Sequence, residues 1–161
     1  MTDADPMSGP GAGPALQDRR KMEENPVKQI TLPATVDSIP AVTAFIDAEL
    51  EEIGCPMPVQ FKIDIALDEI FGNIAHYAYA PGTGEATVEF EFDEETRTVF
   101  ITLTDAGRPY NPTESADPDV SLSAEERKVG GLGIYLVKKT MDGIRYRYEN
   151  QHNVLTLIKK I

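Results

Sequence analysis

The chain has 161 residues, a formal net charge of −12 at pH 7 and one cysteine, Cys55. Its length predicts one domain with a substantial core, and the single cysteine excludes an internal disulfide framework or a cysteine-rich metal site. The acidity argues against general binding to nucleic acids or anionic membranes, which attract basic surfaces, and it suits a partner with a basic patch. No apolar run approaches the length of a membrane span and the N-terminus lacks the layout of a signal peptide, so we expect a cytoplasmic protein.

The first 25 residues differ in composition from the rest of the chain. Residues 7–14 are rich in glycine and proline and almost devoid of large apolar side chains. Such a segment buries too little surface to offset the entropy cost of ordering it. We therefore predict a disordered tail over residues 1–25 and one folded domain over residues 26–161.

The predicted elements of this domain follow in the order strand, helix, helix, strand, strand, helix, strand, strand. Their expected bounds are 27–33, 38–53, 59–79, 86–93, 98–104, 132–141, 144–149 and 154–160. Apolar and polar residues alternate strictly in the second and third strands, which predicts a hairpin with one buried face. Strands grouped in hairpins with helices between them favour an α+β fold, a two-layer α/β sandwich, over a doubly wound sheet.

The long second helix carries the first candidate site. Its apolar stripe consists of Ile63, Leu67, Ile70, Ile74 and Tyr77; Lys62, Glu69, Asn73 and His76 lie on one flank, and Asp64 and Asp68 on the other. Glu69 and Asn73 are four residues apart, so their side chains are neighbours. A carboxylate and an amide oxygen there could hold Mg²⁺ and activate a hydroxyl. The alternative is an ordinary amphipathic helix with a solvated polar flank.

The end of the third predicted strand carries the second candidate site. Asp105 and Gly107 stand where a ligand crevice is commonly built, and glycine removes side-chain bulk at that point. Asp105 is suited to accept a hydrogen bond from an exocyclic amine such as N6 of adenine. A plain turn is the alternative, because Asp and Gly are frequent in turns.

A long polar loop and a glycine run precede the third helix. The loop spans residues 111–128 and contains a possible capping box at 123–126. Loops of this length without structure of their own are usually lids, binding loops or disordered segments. Arg127 and Lys128 are the nearest cations to the glycines, and either could contact a γ-phosphate or remain solvated charge. Gly130, Gly131 and Gly133, with Leu132 between the last two, lead into a helix N-terminus, which is a favourable phosphate site.

Taken together, these segments resemble the boxes of the GHKL ATP-binding fold, also called the Bergerat fold. Glu69 and Asn73 resemble the N box, Asp105 and Gly107 the G1 box, and Gly131 and Gly133 the G2 box. Within this superfamily the sequence around the boxes is most similar to the anti-sigma factor serine/threonine kinases. The likeness covers residues 28–161, and it implies a mixed, mainly antiparallel sheet with helices on one face.

The resemblance also implies roles for individual residues. Glu69 would be the general base that accepts the proton of an attacking hydroxyl, and Asn73 would be the ligand of Mg²⁺. Asp105 would read the adenine amine of ATP, helped by Gly107. The phosphates would be held by Gly130, Gly131, the Leu132 backbone and Gly133, with Arg127 near the γ-phosphate.

The partners implied by the family are a small STAS anti-anti-sigma protein as substrate and a sigma factor, with the kinase acting as a homodimer. Two other functions remain open: a non-catalytic, ATP-dependent module that sequesters a partner, and a detached ATPase domain of a histidine kinase. Many anti-sigma kinases have His four residues after the box Asn. Tyr77 stands at that position here, so His76 receives no catalytic role.

Overall fold

The computed structural model describes residues 27–118, 121 and 132–161. The predicted tail, the capping box, Arg127, Lys128, Gly130 and Gly131 lie outside these residues. The strands are β1 (Lys28–Pro33), β2 (Glu85–Asp93), β3 (Thr98–Asp105), β4 (Gly143–Glu149) and β5 (His152–Lys160). The α-helices are α1 (Ile39–Glu52), α2 (Met57–Asn73) and α3 (Leu132–Thr140); short 3₁₀ turns cover Val36–Ser38 and Pro112–Glu114, and a π-helical turn covers Ile74–Ala78.

The strands form one sheet in the order β1-β2-β3-β5-β4, and all four pairings are antiparallel. This confirms the expected α+β sandwich. The sheet was expected to be mixed and mainly antiparallel, and over the described strands it is wholly antiparallel. Although β5 follows β4 in the chain, it lies between β3 and β4. The register therefore places Asn153, near the start of β5, directly opposite Asp105 at the end of β3.

The core lies between one face of the sheet and the helices. In β2 the buried Ala86, Val88 and Phe90 alternate with partly exposed Thr87 and Glu89, so only one face is apolar. The largest side chains with less than 2% exposure come from every layer: Ile46 and Leu50 of α1, Ile63, Leu67 and Phe71 of α2, Val137 of α3, and Val88, Ile101, Leu103 and Leu157 of the sheet. Packing of these residues fixes α2 and α3 over the sheet, which positions the candidate site.

The long helix differs from its prediction at both ends. It begins at Met57, two residues earlier than expected, because Pro58 fits the first helical turn. After Asn73 the backbone widens into the π-helical turn, so the rotation of 100° per residue no longer applies. Within the predicted apolar stripe, Ile63, Leu67 and Ile70 are buried, whereas Tyr77 lies beyond the regular helix and is 69% exposed.

Among the described residues no helix has the length and apolar content needed to cross a lipid bilayer.

Candidate functional site

A cavity of about 470 Å³ opens between the C-terminal half of α2 and the adjoining ends of β3 and β5. Small-molecule sites in proteins commonly have volumes of roughly 300–1,000 Å³. Its wall is contributed by Glu69, Asn73 and Ile74 from α2 and the following turn, by Leu103 and Asp105 from β3, and by Tyr110, Tyr146, Asn153 and Leu155. The cavity thus brings the first two candidate sites of the sequence together around one space.

Glu69 and Asn73 lie on the side of α2 that borders this cavity. The two side chains are separated by one helical turn, and each is partly exposed. The neighbouring apolar stripe of the helix is held in the core by Ile63, Leu67 and Ile70, the last of which also lines the cavity. Burial of that apolar stripe therefore fixes the direction in which the carboxylate and the amide point.

The carboxylate of Glu69 lies directly against Gly133 in the first turn of α3. A Cβ atom built on Gly133 would overlap both carboxylate oxygens and the Cδ atom of Glu69. The fold therefore brings part of the glycine run next to the acidic residue of α2. Leu132, which begins α3, is 41% exposed.

At the other end of the cavity, Asp105 is only 5% exposed and is held by hydrogen bonds. Its Oδ1 atom accepts from the Gly107 backbone N–H at 2.9 Å and from the Asn153 side-chain amide at 3.0 Å. These two donors stabilise the carboxylate as an acceptor group facing the cavity.

Gly107 is required here because the chain passes very close to the end of the π-helical turn. A Cβ atom at this position would overlap the backbone carbonyl of Ala78. The next residue, Arg108, donates its backbone N–H to that carbonyl at 2.9 Å. The close approach ties the segment that follows Asn73 to the turn that carries Asp105.

Tyr79 provides a second connection at this end. Its hydroxyl donates to the Glu85 carbonyl at 2.6 Å and accepts from the Ala106 backbone N–H at 2.7 Å. Burial raises the pKa of the Tyr79 phenol, so it stays protonated at neutral pH and serves as a structural hydrogen-bonding group.

Asn153 is a site residue that the sequence analysis missed. It is 6% exposed, and its side chain joins Asp105 to the segment after β3. The Nδ2 group also donates to the Arg108 carbonyl at 2.9 Å, while Oδ1 accepts from the Tyr110 N–H at 3.0 Å and from the Tyr146 hydroxyl at 2.6 Å. In the sequence it is one polar residue in a turn, and only the pairing of β5 with β3 reveals its place.

The two histidines and the cysteine considered from sequence lie outside this site. His76 and His152 are exposed, and neither borders the 470 Å³ cavity. Cys55 is buried in the turn between α1 and α2, and burial raises the pKa of its thiol. Among the described residues no group of three or more His, Cys, Asp or Glu side chains is arranged to hold a metal ion.

An antiparallel sheet covered by helices on one face makes this domain a two-layer α/β sandwich, with a cavity beside its second helix. Residues 32–159 match the histidine kinase-like ATPase domain, and the chain belongs to that family. Membership identifies ATP as the nucleotide that this fold binds.

Two curated relatives are named as protein kinases. The serine/threonine-protein kinase BtrW of Bordetella bronchiseptica is 28% identical over 99 residues, which cover 62% of this chain and 69% of the relative. The serine-protein kinase RsbW of Halalkalibacterium halodurans is 27% identical over 135 residues, which cover 81% of each chain. These matches confirm the expected anti-sigma kinase family and the expected enzyme class, a protein serine/threonine kinase.

Two solved structures share the fold. The RsbU and RsbW domains of a Mycobacterium tuberculosis protein align with a TM-score of 0.60 at 20% identity, over 84% of this chain and 32% of that chain. The SiaB–SiaC complex of Pseudomonas aeruginosa aligns with a TM-score of 0.56 at 15% identity, over 91% of this chain and 97% of that chain. At these identities both likenesses bear on the fold alone.

Proposed function

We propose that this protein transfers the γ-phosphoryl group of ATP to a serine or threonine of a STAS anti-anti-sigma protein, in a partner-switching circuit that controls transcription. The observation that carries the proposal is a single cavity lined by Glu69, Asn73 and Asp105, with Gly133 of α3 directly against the Glu69 carboxylate. A base, a metal ligand and a phosphate-binding glycine would then act at the reacting end of the nucleotide. The acidic acceptor would lie at the adenine end.

Asp105 is the group proposed to bind the base. Its buried carboxylate, with Oδ1 already accepting two hydrogen bonds, suits a donor such as the exocyclic amine of adenine. Gly107 lets the backbone that follows Asp105 lie close to Ala78. Leu103 and Leu155 add apolar surface against which a flat purine ring can pack.

The phosphates are proposed to lie near the N-terminus of α3. Unpaired backbone N–H groups and the helix dipole favour anions there. We assign the phosphate contacts to Gly130, Gly131, the backbone of Leu132 and Gly133, and we place Arg127 near the γ-phosphate. For Gly130, Gly131 and Arg127, which lie outside the described residues, the assignment rests on the family motif.

Mg²⁺ fits the residues present because this ion uses few protein ligands and takes others from phosphates and water. The side chain of Asn73 offers one amide oxygen at the cavity wall, a donor of the hard type that Mg²⁺ prefers. When bound, Mg²⁺ neutralises charge on the transferring phosphoryl group. Asn73 would hold it one helical turn from Glu69.

Glu69 would orient the nucleophile and receive its proton. The hydroxyl oxygen of the substrate forms a bond to the γ-phosphorus while the bond from that phosphorus to the β–γ bridging oxygen breaks. ADP leaves with the bond electrons, and the hydroxyl proton passes to the Glu69 carboxylate. Assistance by a general base raises the reaction rate by roughly 10²- to 10⁴-fold. Positioning of the reactants supplies much of the remaining rate enhancement.

The partners follow from the family resemblance and from charge. We propose a STAS protein as substrate, a sigma factor as the protein held when the STAS partner is phosphorylated, and a homodimer as the active form. The net charge of −12 favours partner surfaces that are basic where they meet this protein.

The test is incubation with Mg·ATP and each STAS-domain protein encoded in the same genome, read by intact mass. We expect a gain of one phosphate on one STAS protein. Glu69→Gln should lower the rate by about 10²- to 10⁴-fold while ATP still binds, and Asn73→Ala should abolish Mg²⁺-dependent transfer. Asp68→Asn, which alters an exposed carboxylate next to Glu69 in the chain, is the matched control.

Each outcome has a distinct meaning. Transfer that survives Asn73→Ala shows the metal assignment to be wrong. ATP binding without transfer to any STAS protein contradicts the kinase proposal and leaves a module that binds its partner in an ATP-dependent way.

A further inference from the structure

The side chain of Asn153 forms hydrogen bonds with four residues that line the cavity near Asp105. It is almost completely buried and contacts Asp105, Arg108, Tyr110 and Tyr146. A buried side chain with this many polar partners restricts each of them, because moving any one would leave a hydrogen-bonding group unsatisfied.

The orientation of the Asn153 amide is fixed by chemistry. The backbone N–H of Tyr110 can only donate, so the atom that it contacts at 3.0 Å must be the amide oxygen. The carbonyl of Arg108 can only accept, so the atom 2.9 Å from it must be the amide nitrogen. The Asn153 nitrogen therefore presents its other hydrogen to Oδ1 of Asp105, at 3.0 Å.

This arrangement determines what Asp105 can offer to a ligand. With Oδ1 receiving N–H groups from Asn153 and Gly107, the carboxylate is held in one rotamer as an acceptor. Adenine presents an N6 amine, which is a donor, whereas guanine presents O6, an acceptor, at the equivalent ring position. A fixed acceptor attracts the first base and repels the second.

We propose that Asn153 is the positioning residue that makes this site select adenine over guanine, by holding the Asp105 carboxylate as a fixed acceptor. The inference rests on the proposed binding of the base at Asp105. It assigns the selectivity to a residue that acts through Asp105 and needs no direct contact with the nucleotide.

The test compares binding of ATP and of GTP to the full chain by isothermal titration calorimetry with Mg²⁺ present. The key variant is Asn153→Asp, which keeps the side-chain shape and replaces the donor by an oxygen. Two adjacent carboxyls hold one proton between them over a range of pH, and a protonated carboxyl can donate to O6 of guanine. We expect the preference for ATP to fall by about tenfold or more and to vary with pH between 5.5 and 8.5.

A matched control and a second variant make the result decisive. Asn150→Asp introduces the same chemical change in the exposed turn before β5, and it should leave the preference unchanged at every pH. Tyr146→Phe removes one donor to Asn153 and should lower the preference by a smaller factor, about threefold. If Asn153→Asp shows no cooperative thermal transition and is therefore not folded, the comparison of ATP and GTP binding is made with Tyr146→Phe instead.

Failure of the proposed function and failure of the inference about Asn153 give different results. A wild type that binds neither nucleotide contradicts the proposed function, and with it the inference. A wild type that prefers ATP, together with a folded Asn153→Asp variant of unchanged preference across the pH range, contradicts the inference alone. If only Tyr146→Phe can be measured, an unchanged preference in that variant has the same meaning.

Discussion

The carboxylate of Glu69 occupies the space that a side chain on Gly133 would need. The helices α2 and α3 are far apart in sequence. They therefore meet where the acidic side chain of one helix packs against a glycine of the other. Glycine at this position is a condition for the observed placement of the carboxylate.

Substitution Gly133→Ala should displace the Glu69 side chain, because a carboxylate at the end of a flexible chain moves more easily than a helix backbone. We expect the rate of phosphoryl transfer to fall by about 10²-fold, within the range for loss of a positioned base. ATP affinity should fall by a smaller factor, because alanine keeps the backbone of the proposed phosphate contact. Separate measurement of ATP binding and of single-turnover transfer checks this.

The control for this variant is Gly72→Ala on α2. A Cβ atom there meets nothing within 4 Å, and replacing a helical glycine by alanine stabilises by roughly 0.5–1 kcal/mol. This control should transfer phosphate at the wild-type rate with a slightly raised melting temperature. Equal loss of transfer in both variants would show that the contact with Glu69 is not the cause.

Gly107→Ala should affect both stability and ATP binding. The added Cβ would overlap the Ala78 carbonyl, which belongs to the backbone and cannot move without shifting the turn. Overpacking of this kind costs about 1–3 kcal/mol of unfolding free energy. Chemical denaturation and ATP titration measure the two effects, and a variant with wild-type values for both would contradict the close approach.

Some features of the site follow from local sequence patterns and others depend on contacts between distant segments. The spacing of Glu69 and Asn73 is local, so helical periodicity places them on one side of α2. Asp105 and Gly107 follow a strand whose alternation is clear, which makes the end of that strand predictable. The contact between Glu69 and Gly133 depends on how α2 and α3 pack, and no local pattern contains it.

Two features of the fold explain what was missed. Tyr77 was assigned to the apolar stripe because a regular helix was extended through a segment that widens into a π-helical turn. Asn153 is separated from Asp105 by 48 positions, and only the insertion of β5 beside β3 brings them together. The second of these depends on the pairing of distant strands, which the propensities of single residues do not encode.

Tyr79→Phe tests the hydroxyl that connects β2 to the turn after β3. Removing it leaves the Ala106 N–H and the Glu85 carbonyl without this partner, so we expect a loss of about 1–2 kcal/mol of unfolding free energy. ATP binding should weaken, because the turn carries Asp105. Tyr148→Phe, on an exposed tyrosine of β4, is the control and should match the wild type in both denaturation and titration.

Asp64 should make stability depend on pH. Its Oδ1 atom is buried without a hydrogen-bond partner among the described residues. Burial and then the neighbouring Asp47, which also accepts from Gln60 at 2.9 Å, raise the pKa of Asp64 to about 6. Because this exceeds the unfolded value of about 3.9, the stabilising contribution is fully present below about pH 4 and is lost as pH rises through about 6.

Asp64→Asn should remove this dependence, because the amide stays neutral at every pH. Solvent screening reduces the effect, so we expect a gain of about 1 kcal/mol of unfolding free energy at pH 8 and little change at pH 4. Urea denaturation across this range measures it, with Asp68→Asn as the exposed control on the same helix. If the unfolding free energy depends on pH to the same extent in the wild type and in Asp64→Asn, Asp64 is not the cause of the pH dependence.

The position of β5 has a consequence for synthesis of the protein on the ribosome. This strand follows both of its neighbours, β3 and β4, in the chain, yet it lies between them and supplies Asn153 and Leu155 to the cavity wall. Until residues 152–160 have left the ribosome, β3 lacks its β5 partner and the cavity beside Asp105 lacks the wall that Asn153 and Leu155 supply. A nascent chain can therefore acquire its nucleotide only after β5 has been synthesised and has joined the sheet beside β3.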